Sequence, residues 1–209
     1  MKTAKRFFSL EGIDGSGKTT QIDMLIEALT AEGHSVVKLR EPGGAKISER
    51  IREILLDPDF KGVMGDKTEL LLYNAARAQV IHEIIQPALD AGKVVIADRF
   101  AWSTYAYQGY ARGLGADMVQ RLTELTCGSC FPELTVVLDI DVARGRARTA
   151  KRGEAPDRLE QEKADFFERV RQGYLAAARE FPDCVAAIDA DRSAQDVFAD
   201  LYKLVKARL

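Results

Sequence analysis

One glycine-rich segment constrains this chain more than any other part of its sequence. Residues 12–19 read GIDGSGKT and match the pattern GxxxxGK[ST] in full. An apolar run at 7–10 precedes the segment and a helical pattern follows it, which is the strand–loop–helix order that the pattern requires. Such a loop curls its backbone N–H groups around phosphate oxygens, and the positive end of the following helix adds to the attraction. We therefore expect a phosphate-binding loop between the first strand and the first helix.

The residue types of this loop suit the phosphates of ATP or GTP. We expect Lys18 to reach the β- and γ-phosphates and the hydroxyl of Thr19 to coordinate Mg²⁺. The other positions are expected to line the phosphates: Gly12, Ile13, Asp14, Gly15, Ser16 and Gly17. Three classes of protein remain open, namely a small-molecule kinase, a GTPase switch and an ATPase coupled to a partner. A switch is disfavoured, because its guanine-reading motif NKxD cannot occur in a chain whose only asparagine is Asn74.

Short apolar runs rich in β-branched residues alternate with longer amphipathic stretches along the chain. The runs predict buried strands at 7–10, 35–39, 94–97, 134–140 and 185–188. The longer stretches predict helices at 20–31, 47–56, 68–89, 118–126, 160–181 and 194–209. Alternation of this kind indicates parallel strands joined by right-handed crossovers. The predicted fold class is α/β, a three-layer P-loop NTPase fold in which helices flank a central parallel sheet of five strands.

Length and composition limit the remaining possibilities. A chain of 209 residues, 46% hydrophobic and 30% charged, suits one globular domain over residues 1–209. A net charge of −2 argues against a protein that coats nucleic acid or a membrane surface. The chain shows neither an apolar run long enough to span a bilayer nor a signal-peptide core, so we expect a cytoplasmic protein. Cys127 and Cys130 have CxxC spacing, but without a second such pair a zinc site is not expected.

Polar residues follow two further predicted strands at their carboxyl ends, the edge at which open α/β sheets bind ligands. Asp98 and Arg99 come directly after the run 94–97, where the carboxylate suits a water-mediated contact with Mg²⁺ and the guanidinium suits a phosphate. Arg40 precedes a Pro–Gly–Gly turn, and we expect it to project into the same cleft. Hydroxyl, amide and aromatic side chains that suit a planar polar base come next: Ser103, Thr104, Tyr107 and Gln108.

Several segments of the chain resemble the signatures of the thymidylate kinase family, in the family's order. They read GIDGSGKTT at 12–20, REPGG at 40–44 and DRFAWSTYAYQG at 98–109. The segment LLYNAAR at 71–77 is similar to the family's LLFxxxR. This resemblance covers nearly the whole chain. It implies transfer of the γ-phosphate of ATP to thymidine monophosphate (dTMP), with ATP and Mg²⁺ as cofactors and dTMP as the acceptor.

The resemblance also implies roles for single residues. Asp14 resembles the family's acidic residue beside the deoxyribose 3′-hydroxyl, and Tyr73 stands where the family usually stacks Phe on thymine. Arg77 matches the arginine near the thymine carbonyl and the acceptor phosphate. The phosphate-holding arginines correspond to Arg40 and Arg99. Thr104 and Gln108, with Ser103 beside them, are placed to contact the nucleotide, and Tyr107 resembles the ring that crowds the 2′ position. Asp98 and Lys18 are expected to act in catalysis.

A basic region from about 144 to 159 is interpreted as a short mobile lid. Its cations are Arg144, Arg146, Arg148, Lys151, Arg152 and Arg158. Arg144, Arg148 and Arg152 would stack on one face of a helix, and their mutual repulsion favours an anion bound there. We expect Arg148 to contact the ATP phosphates. Gly15 stands where one kind of thymidylate kinase carries its catalytic arginine. Similarity to the other kind, common in bacteria, makes Arg152 and Arg158 the catalytic candidates, and the choice between them stays open.

The helix predicted at 68–89 is apolar on more than one face, which is typical of a helix buried on several sides. A homodimer would explain this, and a central position inside a monomer would explain it equally well. Two other functions also remain open. One is a kinase for another small acceptor, such as a deoxynucleoside, UMP or CMP, and the other is a regulatory P-loop ATPase without a small acceptor.

Overall fold

The computed structural model describes residues 2–150 and 156–209. Two cations of the predicted lid, Lys151 and Arg152, lie outside the described residues. Among those that are described, no helix is both long and apolar enough to cross a membrane.

Five parallel strands form the central sheet, as the alternating pattern predicts. In chain order they are β1 (Thr3–Glu11), β2 (Val36–Arg40), β3 (Val94–Asp98), β4 (Phe131–Asp139) and β5 (Val185–Asp189). Their order across the sheet is β2-β3-β1-β4-β5, and every neighbouring pair is parallel. The strand that leads into the phosphate-binding loop is therefore the middle one. Its carboxyl end lies between those of β3 and β4, at the edge where open α/β sheets bind ligands.

Helices cover both faces of the sheet. They are α1 (Lys18–Ala31), α2 (Lys46–Leu56), α3 (Asp66–Val80), α4 (Gln86–Asp90), α5 (Ala101–Thr104), α6 (Ala116–Cys127), α7 (Val142–Ala150), α8 (Ala164–Glu180) and α9 (Ala194–Lys206). A π-helical turn, Ile81–Ile85, joins α3 to α4, so the long helix predicted at 68–89 is continuous. Another π-helical segment, Tyr105–Ala111, continues α5.

Apolar side chains that alternate along the strands build a core on each face. Phe8 and Leu10 pack with α1 and α9, whereas Phe7 and Val95 pack with the α3–α4 helix and Phe100. A third cluster joins α8 to the segment Tyr105–Ala111. The result is the expected three layers, helix on sheet on helix.

Three helical predictions needed correction. The sequence pattern predicts no helix over 101–111, but this segment forms α5 and its π-helical continuation. The helix predicted from 160 begins at Ala164, because residues 158–160 form a turn. The last helix ends at Lys206 rather than at the final residue.

Candidate active site

The phosphate-binding loop joins β1 to α1. Gly12, Gly15 and Gly17 have φ values of 136°, 81° and 96°, which side chains other than glycine rarely adopt, so the curl of the loop depends on them. Lys18 lies across the loop, and its Nζ donates to the carbonyls of Gly12 (3.0 Å) and Ile13 (3.1 Å). Burial, and next the positive charge of Arg99, lower the pKa of Lys18 to about 8. A bound phosphate would stabilise the charged form of Lys18 by supplying negative charge beside its ammonium group.

A cavity of about 220 Å³ lies against the loop. Its walls include Gly15, Gly17, Lys18 and Thr19, together with Asp98 and Arg40. The hydroxyl of Thr19 and the carboxylate of Asp98 are hard oxygen ligands of the kind that Mg²⁺ prefers. Within the described part of the chain, no group of three or more His, Cys, Asp or Glu could hold a metal ion. The two oxygen ligands, from Thr19 and Asp98, fit a cation that takes its other ligands from phosphate and water, which is how Mg²⁺ is usually bound.

A larger cavity, about 380 Å³, adjoins the first. It is lined by nearly all of the residues predicted to hold the acceptor: Asp14, Tyr73, Arg77, Arg99, Ser103, Thr104, Tyr107 and Gln108. The two cavities share Asp14, Glu41, Arg52 and Arg99 in their walls. Two ligands, one in each cavity, would therefore approach each other at these charged residues.

Arg99 stands at the junction of the two cavities. It directly follows β3, and its φ of 67° is unusual for a residue with a side chain. Its guanidinium donates to Asp14 Oδ1 (2.7 Å), to the Gly12 carbonyl (2.8 Å) and to the Tyr174 hydroxyl (3.0 Å). It also lies over the Tyr107 ring, 5.4 Å from the centroid. These contacts from several elements hold one cation beside both the phosphate-binding loop and the larger cavity.

Arg77 and Glu41 form a buried ion pair in the wall of the larger cavity. Arg77 Nη2 lies 2.8 Å from Glu41 Oε2, and it donates to the Phe100 carbonyl at 3.0 Å. Burial raises the pKa of the Glu41 carboxyl to about 7, although Arg77 opposes the shift. Among the described residues, Arg77 Nη1 and Glu41 Oε1 are buried and make no hydrogen bond. One donor and one acceptor are thus available to a ligand in this cavity.

Hydroxyl, amide and aromatic groups form the rest of the larger cavity. The buried hydroxyl of Thr104 has no hydrogen-bond partner in the described part of the chain. Gln108 Nε2 donates to Glu69 Oε1 at 2.7 Å, which fixes the orientation of the amide. Tyr73 and Tyr107 contribute their rings, and burial raises the pKa of both phenols. Both therefore stay neutral and present apolar faces to a ligand.

Arg40 lines the smaller cavity rather than the larger one. Its guanidinium donates to the Pro42 carbonyl (2.9 Å) and to Glu49 Oε2 (2.9 Å), and its side chain is about half exposed. The prediction that Arg40 shares a cleft with Arg99 holds, since Arg99 lines the smaller cavity too. Arg40 does not line the larger cavity, so the structure does not bring it into contact with the residues predicted to hold the acceptor.

The basic lid region begins with a helix that lies on the phosphate-binding loop. Arg148 Nη1, in α7, donates to the Gly15 carbonyl at 3.3 Å, and its Nη2 lies 3.7 Å from Asp191. Arg144 pairs with the same Asp191 at 2.8 Å. Arg146 points elsewhere and lies over the Phe167 ring. Arg144 and Arg148 therefore share one face of the helix, as their spacing predicts, and Arg148 is the one beside the loop.

Arg158 does not fit the role of an exposed lid arginine. Its side chain is buried, its Nε donates to the Leu55 carbonyl at 2.6 Å, and its Nη2 lies 2.7 Å from Glu69. It lines neither cavity. These contacts turn the Arg158 guanidinium away from both cavities, so the geometry gives no support to a catalytic Arg158, and that role stays a prediction. Arg152 remains a prediction.

Several residues of the site were not anticipated from the sequence. They are Glu11, Glu41, Arg52, Glu69 and Tyr174. Arg52, in α2, lines both cavities and donates to the Pro42 carbonyl at 3.0 Å. Glu11 directly precedes the phosphate-binding loop, and Glu41 lies inside the REPGG segment at 40–44, so the motifs themselves carried the available signal. Arg52 and Tyr174 lie on helices whose sequences carry no local mark of a ligand site.

Comparison with known proteins agrees with this geometry. A family model described as thymidylate kinase matches residues 10–201. The thymidylate kinase of Halothermothrix orenii is 50% identical over 209 residues, covering 97% of each chain. That of Syntrophotalea carbinolica is 51% identical over 196 residues, covering 91% of this chain and 90% of the relative. The crystal structure of thymidylate kinase from Ehrlichia chaffeensis superimposes with a TM-score of 0.76 at 32% identity, covering 99% of each chain.

Proposed function

The chain belongs to the thymidylate kinase family and transfers the γ-phosphate of ATP to dTMP, giving dTDP and ADP, and we propose how its two cavities divide that reaction. The ATP phosphates occupy the smaller cavity along the loop, and dTMP occupies the larger one. The observation that carries this assignment is the pair of adjoining cavities with Arg99 in the wall of both. The phosphate of dTMP then meets the γ-phosphate of ATP at Arg99.

The larger cavity suits a pyrimidine nucleotide. Its volume of about 380 Å³ is of the size usual for small-molecule sites. Thymine offers two carbonyl acceptors and one N–H donor, and buried groups in the wall can match them. We assign Arg77 Nη1 and the Thr104 hydroxyl to the carbonyls, and the Gln108 carbonyl to the N–H, since the Gln108 amide nitrogen already donates to Glu69. Tyr73 and Tyr107 cover the rings of the nucleotide, and Asp14 lies near the sugar.

The smaller cavity supplies the charge that triphosphate requires. Lys18 and the loop N–H groups contact the β- and γ-phosphates, and Arg148 contacts them from α7. Thr19 and Asp98 are the residues that would hold Mg²⁺. When bound, the cation neutralises charge that builds on the β- and γ-phosphate oxygens.

Catalysis by this site rests on position and charge rather than on a strong base. The phosphate oxygen of dTMP is already a nucleophile, so the protein needs to align it with the γ-phosphate and to exclude water. Arg99 aligns the acceptor phosphate. Arg152 is the proposed catalytic arginine of the lid, supported by the family resemblance and by the internal contacts that occupy Arg158.

The assignment is tested by acceptor selection. A coupled ADP-release assay with ATP and Mg²⁺ compares dTMP, dUMP, UMP, CMP, AMP and thymidine. We expect strong turnover with dTMP, weaker turnover with dUMP and negligible turnover with the others. Thr104→Val, which removes one buried hydroxyl, should raise the KM for dTMP severalfold and leave the KM for ATP unchanged. Equal changes in both KM values would show that the larger cavity is not the dTMP site.

We also propose that the enzyme is a homodimer and works in the cytoplasm. Apolar side chains are exposed on α2, α3 and α6, with Leu71 at 57% and Leu125 at 81% exposure. A second copy of the chain that covers this surface would explain why the α3 helix is apolar on several sides. Light scattering on the wild type and on Leu71→Asp tests the proposal. A monomeric wild type would refute it.

A further inference from the structure

A buried carboxylate lies behind the junction of the two cavities. Glu11 ends β1, and its side chain is 0% exposed. Its Oε1 accepts from the backbone N–H groups of Phe100 (2.8 Å) and Ser103 (3.2 Å). Its Oε2 accepts from the Ser103 hydroxyl (2.6 Å) and from the Tyr174 hydroxyl (3.1 Å). A carboxylate has about four lone-pair sites, so the protein itself uses all of them and Glu11 is not a substrate contact.

The two hydroxyls connect Glu11 to the guanidinium of Arg99. The Ser103 and Tyr174 hydroxyls both donate their hydrogens to Glu11 Oε2, and their oxygens lie 2.8 Å apart. Their lone pairs are then directed at Arg99, whose Nη1 lies 3.0 Å from the Tyr174 oxygen and 3.4 Å from the Ser103 oxygen. Since a carboxylate can only accept hydrogen bonds, Glu11 determines that these hydroxyls accept from Arg99.

Glu11 also holds the backbone that carries Arg99. Arg99 has a φ of 67°, in the left-handed region that is unfavourable for residues with a side chain. The next N–H along the chain, that of Phe100, is bound by Glu11, and the N–H of Arg99 itself donates to the Leu10 carbonyl at 3.0 Å. The end of β1 therefore holds the backbone on both sides of this strained residue.

We propose that Glu11 is a positioning residue for phosphoryl transfer, which with Ser103 and Tyr174 fixes the Arg99 guanidinium between the acceptor and donor phosphates. The proposal rests on the assignment of Arg99 to the acceptor phosphate made above. A carboxylate behind the arginine has two consequences. It balances the positive charge before substrate binds, and it holds the guanidinium in the direction that both cavities require. Glu11 thereby acts on turnover without touching dTMP or ATP.

Glu11→Gln tests the proposal with little change of shape. The amide nitrogen donates where the carboxylate oxygen accepted, so one of the two hydroxyls must turn its hydrogen toward Arg99 and displace it. Because a displacement of about 1 Å can cost about 10²-fold, we expect kcat with dTMP to fall by about that factor. Tyr174→Phe is the milder variant. It removes one hydroxyl and keeps the ring, and the loss of a single hydrogen bond predicts a decrease of about tenfold or less.

A matched control separates positioning from general stability. Ser9 lies on the same strand, is fully buried, and shares a 2.6 Å hydrogen bond with Thr135, but it lines neither cavity. Ser9→Ala should lower Tm and leave kcat and both KM values near wild type. Glu11→Gln should lower kcat even at 15 °C, a temperature well below the Tm of the wild type and of the variant. Wild-type kcat in Glu11→Gln would overturn the proposal.

A double-mutant cycle with Arg99→Lys shows whether Glu11 acts through Arg99. Lys cannot reach Asp14 and the two hydroxyls at once, so the variant loses the geometry that Glu11 controls. We expect Glu11→Gln to change kcat by no more than about twofold in the Arg99→Lys background, because coupled residues are not additive. Losses that multiply would overturn the positioning role. Wild-type kinetics in Arg99→Lys alone would instead refute the assignment of Arg99 itself, so the two failures are distinguishable.

Discussion

A single added methyl group at Gly145 should weaken the use of ATP without affecting dTMP. Gly145 lies in the first turn of α7, where that helix rests on the phosphate-binding loop. A Cβ at this position would lie 2.8 Å from the Asp14 carbonyl oxygen and 3.0 Å from Ile13 Cδ1. The same close approach is found from the other side, because a Cβ on Gly15 would lie 2.2 Å from the Gly145 carbonyl oxygen. The backbone of the helix and the backbone of the loop are thus in direct contact.

The expected size of the effect follows from these distances. The Asp14 carbonyl belongs to the loop and cannot move cheaply, so α7 must withdraw by about half an ångström to restore an ordinary contact. Overpacking of this kind costs roughly 1–3 kcal/mol, and Tm should fall by about 2–4 °C per kcal/mol in a chain of this length. Withdrawal also moves Arg148, whose guanidinium now lies 3.3 Å from the Gly15 carbonyl. We therefore expect kcat/KM for ATP to fall about tenfold in Gly145→Ala.

The KM for dTMP provides the internal comparison. No residue of α7 lines the larger cavity, so this constant should stay within about twofold of wild type. Gly65→Ala is the matched control, since Gly65 has a φ of −72° and the nearest atom to its added Cβ is the Thr68 hydroxyl at 3.9 Å. Steady-state kinetics with each substrate varied, together with thermal melting, measures all of these quantities. Wild-type Tm and wild-type kcat/KM for ATP in Gly145→Ala would refute the contact.

Three further predictions concern charged groups. Burial raises the pKa of Glu41 from 4.5 to about 7, so the native state keeps a proton that the unfolded chain has lost. The contribution of Glu41 to the free energy of unfolding is fully present below pH 4.5 and is lost as the pH rises through 7. The loss is at most about 1.4 kcal/mol per pH unit. In urea unfolding experiments, the free energy of unfolding should fall less between pH 5 and 8 in Glu41→Gln than in the wild type. If the two proteins showed the same pH dependence, the raised pKa of Glu41 would be contradicted. Arg158→Met should cost about 3 kcal/mol, because it leaves Glu69 buried with fewer partners, and should keep kcat within about threefold. A collapse of kcat with unchanged stability would return Arg158 to a catalytic role. Arg152→Ala should lower turnover by about 10³-fold with little effect on dTMP binding, and near-normal turnover would exclude it.

The strands and the phosphate-binding loop could be predicted because their signals are local. Each of the five strands is a short apolar run, and the loop is a contiguous motif. The helical segment 101–111 could not be predicted in the same way. Most of its residues are buried, so it lacks the alternation of apolar and polar faces that marks a surface helix. Its burial depends on α8, where Gly173 allows close approach: a Cβ there would lie 2.8 Å from Ala106 Cα.

The sequence predicts those residues of the site that directly follow a strand. Motif residues such as Asp14, Arg40 and Arg99 are brought together because the parallel strands that precede them end at the same edge of the sheet. The buried partners could not be predicted, since each comes from a distant part of the chain. Tyr174 reaches Glu11 from α8, and Glu69 reaches Arg158 from α3. Charge alone made Arg158 resemble a lid cation, and only the fold shows the carboxylate that holds it.

These buried carboxylates also decide which cations have charge to spare for a substrate. Glu41 lies against Arg77, and Asp14 pairs with Arg99 while Glu11 lies behind it. Arg52 differs, because among the described residues it forms no ion pair and donates only to the Pro42 carbonyl, although it lines both cavities. Burial, and next the charge of Arg40, lower the pKa of its guanidinium, which stays protonated because the ordinary value is so high. The paired arginines therefore fix direction, whereas Arg52, which lines both cavities without a direct carboxylate contact in the described part of the chain, keeps its guanidinium available to an anion there.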